Sequence, residues 1–156
     1  MRKNCLYTIV FYVVTLMHEI ALFVEDYEHD SFIRALIIRY AAEYGYEIRI
    51  TPYSAIGGYG AVIGDFSRYL RDLRNDEADY YDLLVVATDS NCKGYSERKK
   101  EISEKAEEFK HNLVCAIPDP HIERWMLLDQ CAFKKTFGSC RFNSQVQLYW
   151  SKKEAS

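Results

Sequence analysis

"EIALFVEDYEHDSFIRALIIRYAAEYG", residues 19–45, holds the transition on which the fold depends. The segment 19–25 is short, apolar and rich in β-formers, the signature of a buried strand. It ends in two acids, Glu25 and Asp26, with Glu28, His29 and Asp30 close behind. From Ser31 the period changes. Phe32, Leu36 and Tyr40, beside Ile33, Ile37 and Tyr44, recur at helical spacing, and Gly45 closes the pattern. The stretch therefore predicts a strand that turns into a helix spanning 31–44. Its acids are either helix-start chemistry, through Asp26 or Asp30, or part of a cation site.

The same alternation continues to the C-terminal side. "YEIRITPY" reads as a strand, and "DFSRYLRDLRND" as a helix with Phe66, Tyr69, Leu70 and Leu73 on one face. "YDLLVVATD" is the clearest buried strand. "SERKKEISEKAEEF" is a mostly solvated helix with only Ile102, Ala106 and Phe109 to bury. "NLVCAIP" is a fourth strand and "DPHIERWMLLD" a fourth helix. Residues 130–144 are irregular, and "QVQLYW" is a candidate edge strand. Strands alternating with helices predict an α/β domain of Rossmann-like type, a mostly parallel sheet of four to five strands with helices on both faces.

At 156 residues the chain suits one domain with a real core. Residues 1–17, two basic residues and then a short apolar stretch, read as a leader outside the core. They lack a small-x-small cleavage site and are too short to span a bilayer. Residues 18–150 form the domain and 151–156 a frayed tail. A net charge of −3 supplies no global basic field, so nucleic acid would need a local patch and bound cations. The five cysteines show no CxxC spacing, which argues against a zinc knuckle or disulfide framework and for reduced thiols in the cytoplasm.

A parallel sheet presents its functional groups beyond the carboxyl ends of its strands. There the sequence supplies Glu25 and Asp26, then Asp89 and Asn91 in "ATDSN", then Asp119, His121 and Glu123 in "IPDPHIE". These are oxygen ligands of the kind Mg²⁺ accepts. Each has a plainer role beside the functional one. Asp119 before Pro120 looks like a helix N-cap with a first-turn proline. Glu123 suits a solvated helix turn, and His29 and His121 suit capping or surface positions. Glu25 and Asp89 are the strongest candidates, because an acid at the end of a strongly apolar run costs free energy unless it has a partner or a task. Glycines 57, 58, 60 and 64 match neither GxxxxGK[ST] nor GxGxxG, and read as a flexible loop beside the crevice. Arg68, Arg71 and Arg74 are either a phosphate-tracking row or solvated charge, and for Arg98 and Lys99 solvated charge is favoured over a place among the cations that would seat a phosphate.

"LFVED", "LLVVATDSN" and the order linking them resemble the Toprim fold, the catalytic domain of topoisomerases, primases and the nucleases of the overcoming-lysogenization-defect family. The "IPDPHIERWMLLD" segment is similar to small stand-alone Toprim-like proteins of bacterial defence loci. The resemblance spans roughly residues 18–130. It implies Mg²⁺- or Mn²⁺-dependent phosphodiester hydrolysis, with Glu25 and Asp89 catalytic and metal-binding. Asn91, Asp26 and Asp119 are further ligand candidates, Glu123 a further catalytic candidate, and Lys93 and Arg124 the phosphate contacts. It also implies a nucleic-acid substrate, DNA ahead of RNA, and an ATPase partner protein; no membrane role is implied. Asp26 stands where the family has glycine, His29 where its nucleases carry a second acid, and Asn91 where it has aspartate. Two rival functions remain open: a degenerate Toprim-like module that binds a partner without turnover, and a receiver-type phosphorylation switch with Asp89 as acceptor. A receiver needs a hydroxyl residue ending the fourth strand, and "CAIPD" has none there.

Overall fold

The computed structural model describes residues 17–54 and 57–128. Four strands, β1 (Met17–Val24), β2 (Glu47–Ser54), β3 (Leu83–Ala87) and β4 (Leu113–Ala116), form one sheet in the order β2-β1-β3-β4. Every neighbouring pair is parallel. The intervening helices are α1 (Tyr27–Tyr44), α2 (Gly58–Arg74), α3 (Tyr95–Lys105) and α4 (Glu123–Met126). Short 3-10 turns lie at Asn91–Lys93 and Glu107–Asn112. This is the α/β parallel architecture that the alternating pattern predicts. Most of the expected leader, the irregular 130–144 stretch and the "QVQLYW" strand lie outside the described residues. Met17 itself opens β1.

Strand β1 is central and paired on both sides, which explains its unbroken apolar run. Ala21 and Phe23 face one core, with Val62, Phe66, Tyr69 and Leu70 of α2 and Ile102 of α3. Ile20, Leu22 and Val24 face the other, with Ile33 of α1 and Ile122 ahead of α4. Helices therefore cover both faces, and strand side chains alternate between two cores. Each fully buried large side chain contributes about 1.5–3 kcal/mol of transfer free energy. Among the described residues no helix is long and apolar enough to cross a membrane.

Several local features differ from the sequence pattern, each for an identifiable reason. Helix α1 starts at Tyr27 rather than Ser31, because Asp26 is its N-cap: Asp26 Oδ1 accepts the backbone N–H of His29 at 2.8 Å. Asp30 sits within the first turn and pairs with Arg34 one turn on, at 2.6 Å. The buried residues of α1 are His29, Ile33 and Ala41, while Leu36, Tyr40 and Tyr44 lie exposed. Apolar residues surround more than one side of this helix, so spacing alone does not choose the inward face. The glycine-rich stretch is not a loop: residues 58–64 form the first two turns of α2. Asp119 caps no helix; its bond to Pro120 is cis and α4 begins later, at Glu123.

Candidate functional site

The chain leaves β1 by way of α1 to reach β2 on one side, then returns by way of α2 to β3 on the other. The carboxyl ends of β1 and β3 thus flank the point where the winding reverses, the place at which open parallel sheets leave a crevice. Glu25 follows β1 directly. Thr88, Asp89 and Ser90 follow β3, with Thr88 and Ser90 wholly buried.

Three donors hold the Glu25 carboxylate. Thr88 Oγ1 donates to Oε2 at 2.5 Å, and the Asp89 backbone N–H reaches the same oxygen at 3.3 Å. The Tyr59 backbone N–H donates to Oε1 at 3.1 Å from the first turn of α2. The helix N-terminus favours the negative charge there. Gly58 makes this approach feasible through its backbone: its φ of 72° lies in the left-handed region, which side chains rarely adopt. The glycines that read as a flexible loop instead bring a helix start against an internal carboxylate.

Asp89 is held by two histidines. His29 Nε2 lies 3.1 Å from Asp89 Oδ1, and His121 Nδ1 lies 2.9 Å from Oδ2. His29 is only 1% exposed, and its other ring nitrogen contacts Asp26 Oδ1 at 2.8 Å. A chain of polar contacts therefore runs Asp26, His29, Asp89, His121 across the strand ends. A neutral imidazole has a single N–H, so which of the two carboxylates His29 donates to depends on its tautomer. Partial burial raises the Asp26 pKa, but the hydrogen bonds and charge of His29 outweigh it and hold the carboxyl below its ordinary value. The bond to Asp89 raises the pKa of His121, against an opposing effect of burial; the charges of Asp89, Glu123 and Glu25 add to the rise.

The remaining candidates sit around this centre at different removes. Asp119 Oδ1 accepts the buried Ser90 hydroxyl at 2.7 Å, tying the loop after β4 to the mouth of β3. Arg124 Nη1 donates to the Asp119 carbonyl at 2.9 Å. Asn91 is exposed at the start of a 3-10 turn with φ of 51°, and its N–H donates to the Pro120 carbonyl at 3.2 Å. Glu123 opens α4 on the surface. Lys93 is engaged by Glu101 and lies 3.9 Å from Glu97. Arg68 bonds Asp65, Arg71 bonds Asp72 and Arg74 bonds Glu108, so the three arginines of α2 are each matched by an acid.

Glu25, Asp26 and Asp89 are thus brought together at one end of the sheet, with Asp119 linked through Ser90. The donors to Glu25 come from Thr88, Tyr59 and Asp89, and Asp89 lies beside it through its backbone N–H. Sequence reasoning passed over His29 and His121 as partners of Asp89. Part of the signal was present, since a histidine three residues after an N-cap aspartate is placed to face it. Arg98, which the sequence pattern places in solvent, is buried: its guanidinium carbon lies 3.4 Å from the centroid of the Tyr59 ring. Among the described residues no group of three or more His, Cys, Asp or Glu side chains is arranged to hold a metal ion as it stands. Compared with known family models, curated proteins and solved structures, the chain has no match.

Proposed function

We propose that this chain is a Toprim-like domain that hydrolyses phosphodiester bonds in nucleic acid with a divalent cation. One observation carries the reading: Glu25 and Asp89, 64 residues apart, lie side by side at the switch point of the sheet. The donor set suits a hard cation. Glu25, Asp26 and Asp89 supply carboxylate oxygens, with Asp119 and the neutral Asn91 nearby. Mg²⁺ or Mn²⁺ needs only one or two carboxylates, since it keeps several waters. Three donors hold Glu25, which leaves room for a further contact on an anion with about four lone-pair sites. Asp89 would reach a cation once a histidine gives way.

A bound cation would neutralise charge on the phosphate and activate water. The chain itself orients the carboxylates. Thr88 and the start of α2 fix Glu25, and His29 and His121 fix Asp89. Lys93 and Arg124 are the cations assigned to the phosphate in this reading, and Glu123 is a further acid near His121. The resemblance that supports a nuclease also supports DNA as the substrate and an ATPase as partner.

The test is cleavage of single- and double-stranded DNA and RNA with Mg²⁺ or Mn²⁺, beside a chelator control. Glu25→Gln and Asp89→Asn should each lower the rate by roughly 100-fold or more, beyond the range typical of outer-shell substitutions. Cleavage that persists in both variants, or in excess chelator, overturns the proposal.

A further inference from the structure

Next to the crevice, three donors from three elements converge on a single carboxylate. Glu101, on α3, accepts the Tyr59 hydroxyl at 2.7 Å and Arg98 Nη1 at 3.1 Å, and it also pairs with Lys93. Tyr59 comes from α2, Lys93 from the turn after β3, and Arg98 from α3. Two of these donors are cations, and the site strongly favours an anion: Lys93 first, then Tyr59 and Arg98, pull the Glu101 pKa down to about 2. Arg98 is set in place by stacking on the Tyr59 ring, which fixes a guanidinium at little further cost in side-chain freedom. Its Nε is buried and has no hydrogen-bond partner among the described residues. A buried donor left unused is uncommon in folded proteins.

We propose that Lys93, Arg98 and the Tyr59 hydroxyl form a seat for one phosphate group of a nucleic-acid backbone, filled from within by Glu101 until that phosphate displaces it. Three features support an exchangeable occupant rather than a fixed brace. Glu101 is partly exposed, and its long side chain can swing into water. The donor set is a guanidinium, an ammonium and a hydroxyl, the combination that recognises phosphate oxygens. A phosphate also carries more acceptor oxygens than a carboxylate, enough to take up Arg98 Nε once Glu101 moves aside. Tyr59 links the seat to the crevice, because its backbone N–H binds Glu25 while its hydroxyl binds Glu101. A phosphate held here would sit beside the carboxylates at the strand ends.

The assignment of that phosphate to nucleic acid rests on the function proposed above; the seat itself does not. Binding is therefore measured by titration calorimetry with inorganic phosphate and, separately, with a short oligothymidylate, both without divalent cation. Glu101→Ala should bind each probe about tenfold more tightly than wild type, because the competing internal charge is gone. Adding Lys93→Ala should reverse the gain and lower the salt dependence of oligothymidylate binding by about one charge. Equal affinity for inorganic phosphate in wild type and folded Glu101→Ala overturns the seat. Should Glu101→Ala fail to fold, Lys93→Ala alone, an exposed change, must weaken phosphate binding in the wild-type background, and no change there is equally fatal. Tighter binding of inorganic phosphate without tighter oligothymidylate binding overturns the nucleic-acid assignment. Intact phosphate binding with no cleavage under any condition would sink the nuclease reading and leave the seat standing.

Discussion

His29 shows what a single residue does at this site. It is buried, both ring nitrogens meet carboxylates, and those carboxylates belong to different strand ends. Replacing it with alanine leaves a polar void and takes one partner from each acid. His29→Ala should cost about 1–3 kcal/mol of stability, measured as a shift of the urea midpoint. His29→Gln, which can still reach one acid, should recover part of that loss. Gly58 is a second informative position. Its φ of 72° is costly for any side chain, whereas a Cβ there would meet Glu25 Oε1 at an ordinary 3.6 Å. Gly58→Ala should therefore destabilise by about 1–2 kcal/mol through backbone strain, not through a clash. Glu25 and Asp89 were legible in the sequence because an acid ending an apolar run needs a partner. Thr88, Tyr59 and Glu101 were not, since ordinary residues become donors or acceptors only when a remote element arrives.

At the scale of the element, the start of α1 is where local chemistry does the most. Asp26 caps the helix through His29 N–H, and Asp26→Ala should cost about 1 kcal/mol. The sign of its pH dependence follows from the lowered pKa. A carboxyl held below its unfolded value stabilises the fold above that value, and the contribution fades as pH falls through the folded pKa. The stability gap between wild type and Asp26→Ala should thus be full near neutral pH and shrink on acidification below about pH 4. A gap that widened in acid would contradict the bond to His29. Periodicity found every described strand and helix, but it misjudged three helix starts, that of α4 because Asp119 caps no helix. In α1 the capping aspartate precedes the apolar pattern by a full turn. In α2 the glycines carry too little side chain to register as helix, although Val62 among them is fully buried.

For the whole molecule, strand order is what local pattern cannot supply. Alternating strands and helices imply a parallel sheet, but only the fold shows that β1 lies between β2 and β3, and so that Glu25 and Asp89 are neighbours. The same order makes a mechanical forecast. Phe23 on the central strand stacks on Tyr53, with ring centroids 4.6 Å apart, and meets Phe66 edge-on at 5.1 Å. Phe23→Ala should cost about 3–5 kcal/mol, because it empties the junction of β1, β2 and α2. Leu36→Ala, on the exposed side of α1, should change stability by no more than about 0.5 kcal/mol. Equal costs at the two positions would mean that α1 packs through the face suggested by its periodicity. Amide exchange tests the sheet more directly. The amides of β1 and β3, interior strands paired on both sides, should exchange most slowly and approach the global unfolding limit, while those of β2 and β4, which edge the described sheet, should open earlier. Fast exchange in β1 would break the strand order, and with it the adjacency of Glu25 and Asp89.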